Sequence, residues 1–514
     1  MKRCIALITS VLLIIGLFSG CAEDPGVYVP TGDALVMEDG VPVQPTPPQT
    51  ESEQKLTLTY YPDRSMNPLI CTDFTNRVVF SLLYQSLFVV DRDYNPAPML
   101  CKQYSVSQDM RTYTFYLEAA TFSDGTPLTA QDVVASLEAA RQNTYYAGRF
   151  QHFSGATVTS DGAVMIRTDT PMENLPLLLD IPIVKASQIQ DTHPLGTGPY
   201  TMENITGNAL LRRRKDWWCR ADMTATAPAI ALIVAESNTQ IRDEFEFGDL
   251  DLVCANPGSD RYADYRCDFE LWDCETGIFL YLSCNMNSPI FSNQKVRSTL
   301  TYAIDRDTIA ANNYRGFAQS ASLPASPKSP YYRQAQAARY AYNGGIAFHQ
   351  AVADAGLVGS QLTLLVNSED TMRVRIARSI AQTLTAAGFV VQLKACSGTE
   401  YRQSLQRGSY DLFLGQTRLS PNMDLTPFFS STGSLRYGGL NDVALHSLCL
   451  EALANHGNYY TLHQAIMDDG RLCPILFSSY AVYATRGLVT ALTPSRDNVF
   501  FYTLGKTMSD ARID

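Results

Sequence analysis

Three patterns of apolar and polar positions follow one another along the chain. An apolar run over residues 5–18, preceded by two basic residues, has the charged start and hydrophobic middle of a secretion signal. Residues 21–54 are rich in proline, glycine and acidic side chains, a composition that cannot bury enough apolar surface to fold. From residue 55 onward, apolar and aromatic runs persist nearly to the C-terminus. We predict a signal peptide over 1–20, a flexible tether over 21–54 and one large globular body.

Within the body, the first segments have readable periods. Residues 55–60 alternate polar and apolar positions as a strand does, and Pro62 then breaks the pattern into a loop. Residues 74–90 are apolar at helical spacing and predict a helix. Farther on, Thr129 stands before residues 130–141 as a capping residue should, so a second helix is predicted there. Strands and helices are therefore mixed, which indicates an α/β body.

The end of the apolar run decides how the chain is processed. Residues 17–21 read Leu-Phe-Ser-Gly-Cys, with small residues before a cysteine, and this resembles the lipobox of bacterial lipoproteins. Phe18 stands where that family usually has leucine. The resemblance implies cleavage before Cys21 and acylation of its thiol, so that buried acyl chains hold the protein on the outer face of the cell membrane. An ordinary signal peptide with an incidental cysteine is the alternative, whereas the run is short for an uncleaved membrane anchor.

Composition and charge exclude one class of partner. The 514 residues are 46% apolar and carry a formal charge of −11, which becomes −13 once Lys2 and Arg3 leave with the signal. Such a charge attracts neither nucleic acid nor an anionic membrane surface. The run 212–215 is the only strong basic cluster, and we interpret it as a solvated strand end, because no basic stripe surrounds it.

Twelve cysteines need an explanation. Cys4 lies in the signal and Cys21 is the lipid acceptor, which leaves ten between residues 71 and 473. No CxxC occurs, so a zinc ribbon or a redox dithiol is not indicated. Export permits disulfides, and the closest pairs in sequence are Cys267 with Cys274 and Cys71 with Cys101. The alternative is that many of the ten are small buried residues.

Enzyme motifs are incomplete. Ser292 and Lys295 fit the S-x-x-K of penicillin-recognising enzymes, but the companion motifs are missing, so Ser292 is better interpreted as a helix N-cap. Residues 505–507 read Gly-Lys-Thr, but Phe500 occupies the place of a phosphate loop's first glycine. The six histidines form no metal or catalytic signature, and His463 is expected on a solvated helix face. We predict no catalytic residue, no cofactor and no metal site.

Motifs from residue 55 to the C-terminal part follow one order. They are Asn-Pro-Leu at 67–69, Leu-Leu-Tyr-Gln-Ser-Leu at 82–87, the turn-and-helix segment at 122–133, Gly-Thr-Gly-Pro-Tyr at 196–200, the segment 296–306 and Tyr-Asp-Leu at 410–412. In this order they resemble the family 5 extracellular solute-binding proteins of ABC importers, which include oligopeptide and dipeptide receptors. The resemblance covers essentially all of the chain after residue 55.

This resemblance implies an architecture: an α/β, bilobed clamp of the periplasmic-binding-protein type II with two hinge strands and three substructures. Lobe 1 is expected over 55–70 plus 195–283 plus 474–514, and an inserted subdomain over 71–194. Lobe 2 is expected over 284–473. The ligand would be enclosed between the lobes by hinge closure.

One segment bears on the ligand. After the Tyr-Asp-Leu strand, peptide receptors of this family commonly have Gly-Trp and then an aspartate for the peptide's α-amino group. Here Gln416 replaces the tryptophan, and no acid occupies the expected offset. Asp424 is either that acid on a shifted loop or a turn-shaping residue. Arg418 either faces the cleft, where it would suit a carboxylate, or lies on the surface.

Further candidate ligand contacts come from other loops and strands. They are Tyr60, Arg64 and Asn67 in the first strand and loop, Trp272 and Thr276 before the crossover, and Tyr437. Aromatic rings at a lobe face would stack on a peptide or sugar. Core packing is the alternative for each ring, because the chain has 28 tyrosines.

The function implied is that of a monomeric, non-enzymatic, lipid-anchored receptor. It would capture a peptide or peptide-like solute and deliver it to a membrane permease and ATPase. A nickel or haem ligand, both used by relatives, stays open. Two other classes also remain: an exported hydrolase, and a binding or signalling lipoprotein that kept the clamp without transport.

Overall fold

Strands outnumber helices through most of the chain. The computed structural model describes residues 37–38, 41–42, 56–203, 209–219, 221, 223, 225–234, 237–259, 265–489 and 492–513. The strands there are β1 (Met37–Glu38), β2 (Val41–Pro42), β3 (Leu56–Tyr60), β4 (Phe88–Val90), β5 (Pro96–Pro98), β6 (Cys101–Val106), β7 (Thr112–Leu117), β8 (Phe153–Val158), β9 (Val164–Thr168), β10 (Tyr200–Glu203), β11 (Ala209–Arg213), β12 (Ala229–Val234), β13 (Leu252–Ala255), β14 (Phe269–Cys284), β15 (Ala318–Ser320), β16 (Gln361–Asn367), β17 (Val390–Cys396), β18 (Leu412–Arg418) and β19 (Leu472–Thr485).

The helices lie mostly in the second half of the chain. They are α1 (Phe74–Arg77), α2 (Phe80–Leu83), α3 (Ala130–Ala140), α4 (Asn238–Phe247), α5 (Gln294–Leu300), α6 (Arg306–Tyr314), α7 (Gln334–Ala337), α8 (Ile346–Asp354), α9 (Thr371–Ala386), α10 (Gly398–Arg407), α11 (Thr426–Phe429), α12 (Val443–Ala454), α13 (Tyr459–Asp469) and α14 (Met508–Ala511).

The first mixed sheet is built on β3. Its order is β10-β11-β12-β3, and β12 runs parallel to β3 while the other pairs are antiparallel. Leu56, Leu58 and Tyr60 of β3 point into the core and the two threonines between them are half-buried, as the alternation predicts. All four strands fall within predicted lobe 1.

A second sheet lies within the predicted insert. It is antiparallel in the order β6-β7-β9-β8, and α3 packs on it through Val133 and Leu137. Thr129 and Asp132 form a capping box, since the Asp132 carboxylate accepts the Thr129 N–H at 2.9 Å and the Thr129 hydroxyl accepts the Asp132 N–H. This confirms the helix start predicted at residue 130.

The largest sheet has two long central strands. Its order is β13-β19-β14-β18-β16-β17, with β15 also on β19, and β14 and β19 pair over most of their length. Phe279 and Tyr281 of β14 face one core, whereas Leu280 and Leu282 face another, as a strand buried on both sides requires. A bulge lies at Thr276–Gly277, between the paired residues Glu275 and Ile278.

Three local predictions are wrong. Residues 74–90 are not one helix but α1, α2 and β4, because the chain becomes extended at Tyr84 so that β4 can pair with β5. Asn293, not Ser292, caps α5, with its side chain accepting the N–H groups of the first turn. His463 is fully buried and its ring nitrogens make no hydrogen bond within the described residues, so burial lowers its pKa to about 3.

The structure corrects the interpretation of the basic run and decides between the two alternatives for the cysteines. Arg214 is buried and donates to the carbonyls of Thr121, Gly198 and Phe122, so only part of the run 212–215 is solvated. The ten cysteines after residue 70 are all free, and eight of them are buried. The eight buried cysteines act as small core side chains, and neither of the two suggested disulfides forms.

Residues 53–514 form one compact unit, within which the division into lobes stays a prediction. Across the described part of the chain, no helix combines the length and apolar character needed to cross a membrane.

Candidate functional site

A cavity of about 90 Å³, partly open to solvent, lies beside the bulge of β14. Its walls come from residues 77–99, 145–182 and 496–502, which are parts of the predicted insert and of the C-terminal segment. At roughly 10–15 Å³ of such space for each water, it has room for about six to nine waters. That is the scale of one amino-acid-sized group.

Two ion pairs flank the cavity. Arg149 donates to both carboxylate oxygens of Asp180, at 2.5 and 2.6 Å, and this bidentate geometry suits a guanidinium. Arg418, at the end of β18, donates to Asp497 and to the carbonyl oxygen of Thr276 in the bulge. Both pairs are largely buried.

Tyr145 lies at the centre of the arginines. The guanidinium carbon of Arg77 is 3.4 Å from the centre of its ring, and those of Arg418 and Arg149 are 4.8 and 5.9 Å away. Burial and the charge of Asp497 raise the pKa of Tyr145 well above its ordinary value. The neutral ring therefore holds three cations near the cavity by cation–π contact.

A tight turn from the C-terminal segment closes the other wall. Ser495 and Asn498 exchange two backbone hydrogen bonds, and Asp497 between them has a φ of +62°, a left-handed conformation that aspartate tolerates better than most residues. The backbone N–H of Asp497 donates to the carbonyl oxygen of Glu275 at 2.7 Å. The turn is thus fixed to the long strand β14.

Polar atoms of this turn are left without partners. Nε and Nη1 of Arg496, Oδ1 of Asp497 and Oδ1 of Asn498 are buried and make no hydrogen bond within the described residues. Gly277 allows the close approach of Arg496, because a Cβ there would collide with the guanidinium. These atoms have almost no accessible surface, so they are packed behind the cavity wall and do not face its space.

Contacts between the predicted insert and predicted lobe 2 lie near the cavity. His152 places Nδ1 3.0 Å from Asp169 in the insert, and Nε2 3.0 Å from the Thr426 hydroxyl and 3.3 Å from Asp424 in lobe 2. The Asn174 amide also donates to the Tyr331 hydroxyl at 2.6 Å. The two regions are therefore in direct contact.

The predicted site residues do not gather in one place. Tyr60, Asn67 and Thr276 are buried, and Asn67 uses its amide to hold the backbone of residues 69, 189 and 191. Arg64 is more than half exposed and pairs with acidic neighbours, whereas Trp272 and Tyr437 are half-buried against hydrophobic cores. Thr276 contributes its carbonyl to Arg418.

The two residues after the Tyr-Asp-Leu strand have different positions. Arg418 is enclosed beside Tyr145 and Asp497, not on the surface, and burial is outweighed by Asp497 so that its pKa is raised. Asp424 accepts from the backbone N–H and the hydroxyl of Thr426, as a turn-shaping residue does. It also meets His152.

Sequence reasoning did not identify the main residues of the cavity, which are Arg77 and residues 495–498. Arg77 is a lone charge inside the apolar stretch 74–90, and residues 495–498 are a polar tetrapeptide between apolar segments of the tail. A polar interruption in an otherwise buried stretch was the available signal. Nothing in the sequence, however, indicated that these two segments meet.

Among the described residues, no three histidine, cysteine or acidic side chains lie close enough together to hold an ion.

Comparisons with known proteins identify the family of this α/β chain. The model of the bacterial extracellular solute-binding proteins, family 5, matches residues 95–437. The chain therefore belongs to this family, whose members are extracytoplasmic solute-binding proteins of ABC importers that bind peptides or related ligands. The resemblance drawn from the sequence motifs is confirmed, and so is the expectation of a binding protein and not an enzyme.

Individual relatives are distant in sequence but similar in fold. The glutathione-binding protein GsiB of Escherichia coli O1:K1 is 24% identical over 390 residues, which cover 72% of this chain and 73% of that protein. A putative peptide-binding protein AppA from Clostridium difficile superposes with a TM-score of 0.71 at 15% identity, covering 87% of this chain and 98% of that one. The substrate-binding protein CtaP from Listeria monocytogenes gives 0.70 at 20% identity, covering 88% and 99%. These structures confirm the predicted α/β periplasmic-binding-protein fold.

Proposed function

We propose that this chain is a lipid-anchored receptor that captures a peptide or peptide-like solute between two lobes and delivers it to an ABC permease. The observation that carries the proposal is the cavity lined by Arg77, Arg149 and Asp180 in a chain of the solute-binding family. Its walls come from the insert 71–194 and from the tail of predicted lobe 1, which comprises 55–70 plus 195–283 plus 474–514. Predicted lobe 2, 284–473, contacts that tail through Arg418 and Leu419.

The long strands β14 and β19 are suited to act as hinges. Each runs from predicted lobe 1 to predicted lobe 2 or back, and the bulge at Thr276–Gly277 interrupts their pairing at the level of the cavity. Bulges give a strand a local bend, and they are frequent next to binding sites. A rotation about this level would separate Arg418 from Asp497 at the edge of the cavity.

Solute binding can favour closure through two contacts. Arg496 donates to the carbonyl oxygen of Leu419 and Asp497 binds Arg418, so both residues of the turn touch predicted lobe 2. A ligand shifts an equilibrium only by its different affinity for the two states. A solute held by the turn would bind best when these contacts to lobe 2 are made.

The size of the solute follows from the cavity and the family. About 90 Å³ accommodates one amino-acid-sized group, so the remainder of a larger solute would extend along the boundary between the lobes. Glutathione-binding and peptide-binding relatives support a peptide-like chemistry. Purification from the native host followed by native mass spectrometry should reveal a bound mass that denaturation releases. Absence of any bound or bindable peptide-sized molecule would contradict the proposal.

Anchoring through Cys21, which lies outside the described residues, is part of the same proposal. We expect the mature protein to begin with a diacylated cysteine detectable by mass spectrometry of its first peptide. Cys21→Ser should abolish the acylation and prevent the protein from partitioning with membranes. Retention of the variant on membranes would instead support an uncleaved anchor.

The remaining candidate functions give different results in simple assays. An exported hydrolase should turn over peptide or ester substrates, whereas a receptor should be stabilised by solute without consuming it. A signalling lipoprotein would bind solute equally well but would not stimulate a permease and ATPase reconstituted in vesicles. We expect stabilisation, no turnover and stimulation of the ATPase.

A further inference from the structure

A loop of predicted lobe 2, residues 321–332, reaches across the bulge of β14. It starts from β15, which pairs with β19 opposite residues 278–280 of β14, after the bulge. The first N–H group of the loop donates to the Ile475 carbonyl oxygen at 2.9 Å. The loop then contacts Asp273 and Glu275, which precede the bulge. We call this loop the strap.

The first anchor of the strap is the carboxylate of Glu275, a residue that is 7% exposed. Its Oε1 accepts hydrogen bonds from two hydroxyl groups, one of Ser326 in the strap and one of Tyr94 in the predicted insert, the latter at 2.6 Å. Burial and the charge of Glu275 raise the pKa of Tyr94 well above its ordinary value, so this hydroxyl keeps the proton that it donates. One buried carboxylate oxygen thus connects the strap with the insert.

The second anchor is Asp273, which lies two positions earlier on the same face of β14. Lys328 of the strap donates to one of its carboxylate oxygens, and Arg92 of the insert lies 3.8 Å from the other. Burial raises the pKa of Asp273, but the hydrogen bond and charge of Lys328, together with Arg92, outweigh it and lower the pKa. All three side chains are partly exposed, so salt should weaken this contact.

The two anchors repeat one arrangement. In each of them a strap side chain and an insert side chain meet one carboxylate of β14, and in all three segments the contacting residues are two positions apart. Farther along the strap, the Tyr331 hydroxyl accepts from the Asn174 amide of the insert. The contacts of Tyr94 and Arg92 with β14 stay on one side of the bulge, whereas those of the strap span it. Rotation about the bulge would therefore break the strap's contacts and leave the other two intact.

We propose that the strap holds the two lobes together before a solute arrives, with Glu275 as its buried anchor and Asp273 as its salt-sensitive anchor. The inference rests on the proposed function, because it needs lobes that rotate about the bulge. A solute then supplies only part of the free energy of closure, since each contact of the strap favours the closed state.

The test measures the solute-free protein by small-angle scattering and by hydrogen–deuterium exchange of the strap. Ser326→Ala removes the hydroxyl that reaches Glu275 across the bulge, and Tyr94→Phe removes the other donor to the same oxygen without crossing the bulge. The matched control is Ser447→Ala, whose exposed hydroxyl donates to a carboxylate within α12. Arg418→Met serves as a positive control for lobe opening. Scattering is repeated with a mixture of tripeptides of random sequence.

We expect Ser326→Ala to have a larger radius of gyration than the unaltered protein. The ratio of closed to open molecules should fall roughly 10-fold or more, because a hydrogen bond to a charged group is lost. The strap amides should exchange several-fold faster, and the tripeptides should restore the smaller radius. Tyr94→Phe should lower the melting temperature but keep the radius, and Ser447→Ala should change neither.

A second variant tests the salt-sensitive anchor. Lys328→Met should also enlarge the radius at low salt, by less than Ser326→Ala does. In about 1 M NaCl, where charges interact over only about 3 Å, its radius should equal that of the unaltered protein. Because Lys328 is partly exposed, this variant decides the question if Ser326→Ala does not fold.

Two kinds of result would overturn the inference. If Arg418→Met enlarges the radius but Ser326→Ala and Lys328→Met do not, the lobes move and the strap does not hold them. An equal increase in Tyr94→Phe and Ser326→Ala would likewise refute the strap, since the effect would then come from general loosening around Glu275. A radius that no variant and no tripeptide changes would contradict hinge closure itself and thereby remove the basis of the inference.

Discussion

The two buried ion pairs beside the cavity look alike but join different parts of the molecule. Arg149 and Asp180 both belong to the predicted insert, so their contact persists whatever the lobes do. Arg418 belongs to predicted lobe 2 and Asp497 to the tail of predicted lobe 1, so we expect their contact to depend on closure of the lobes. We therefore expect the first pair to stabilise the fold and the second pair to stabilise the closed conformation.

The largest effect is expected from breaking the pair within the insert. Arg149→Met leaves the Asp180 carboxylate buried without its bidentate partner, which costs about 3–5 kcal/mol of unfolding free energy. Denaturant unfolding measures this loss, and small-angle scattering should give an unchanged radius for the folded protein. Arg212→Met, which breaks an exposed pair, should cost at most about 1 kcal/mol. Equal losses in the two variants would refute the structural role of Arg149.

Breaking the pair between the lobes should act mainly on closure. In Arg418→Met the Asp497 carboxylate loses its partner, but opening of the clamp restores its contact with water. The free energy of closure should therefore fall by about 1.5–3 kcal/mol, and solute affinity with it by about 10- to 100-fold. Scattering should show a larger radius without solute. A variant that unfolds more readily but stays closed would show that the pair is structural after all.

A smaller loss of stability is expected at the start of α3. Thr129→Ala removes the hydroxyl that caps the helix and should lower the unfolding free energy by about 1 kcal/mol. Thr129→Ser keeps the hydroxyl and serves as the control. Because the cap lies within the insert, solute affinity should be the same in both variants. A change in affinity would mean that the insert is not a rigid part of the clamp.

The sequence predicted the regular parts of the fold well. The alternation of residues 55–60 and the capping residue Thr129 specify a strand and a helix start through local geometry alone, and both are confirmed. The stretch 74–90 was harder, because apolar residues suit a buried helix and a buried strand equally and the pairing of β4 with β5 decides. His463 was misjudged because helical spacing does not tell which face packs inward.

The cavity could not be assembled from the sequence. Arg77 and Arg496 are separated by more than four hundred positions, and only the return of the tail to the insert brings them together. Arg418 was identified through its strand, but its partner Asp497 lies in a turn whose left-handed residue has no strong local signal. Long-range contacts of this kind follow from tertiary packing, not from local preferences.

The smallest effect concerns pH and a third contact between the two regions. Burial by itself lowers the pKa of His152, but the hydrogen bond and charge of Asp424, together with Asp169, outweigh it and raise the pKa above the usual value of about 6.5. Asp424 lies in predicted lobe 2, so the raised pKa belongs to the closed state. Protonated His152 therefore favours closure.

The sign of the dependence follows from this difference between states. Below the open-state pKa, His152 is charged in both states and its contribution to closure is complete. As the pH rises through the raised pKa of the closed state, the imidazole loses its proton and the contribution is lost. Solute affinity should thus decline a few-fold from about pH 6 toward about pH 8. His152→Gln should flatten this profile, whereas His349→Gln, whose histidine is exposed on α8, should preserve it. A pH profile that His152→Gln leaves unchanged would show that His152 does not contribute to lobe closure. Of these two contacts, the Arg418–Asp497 pair would then be the one that controls closure.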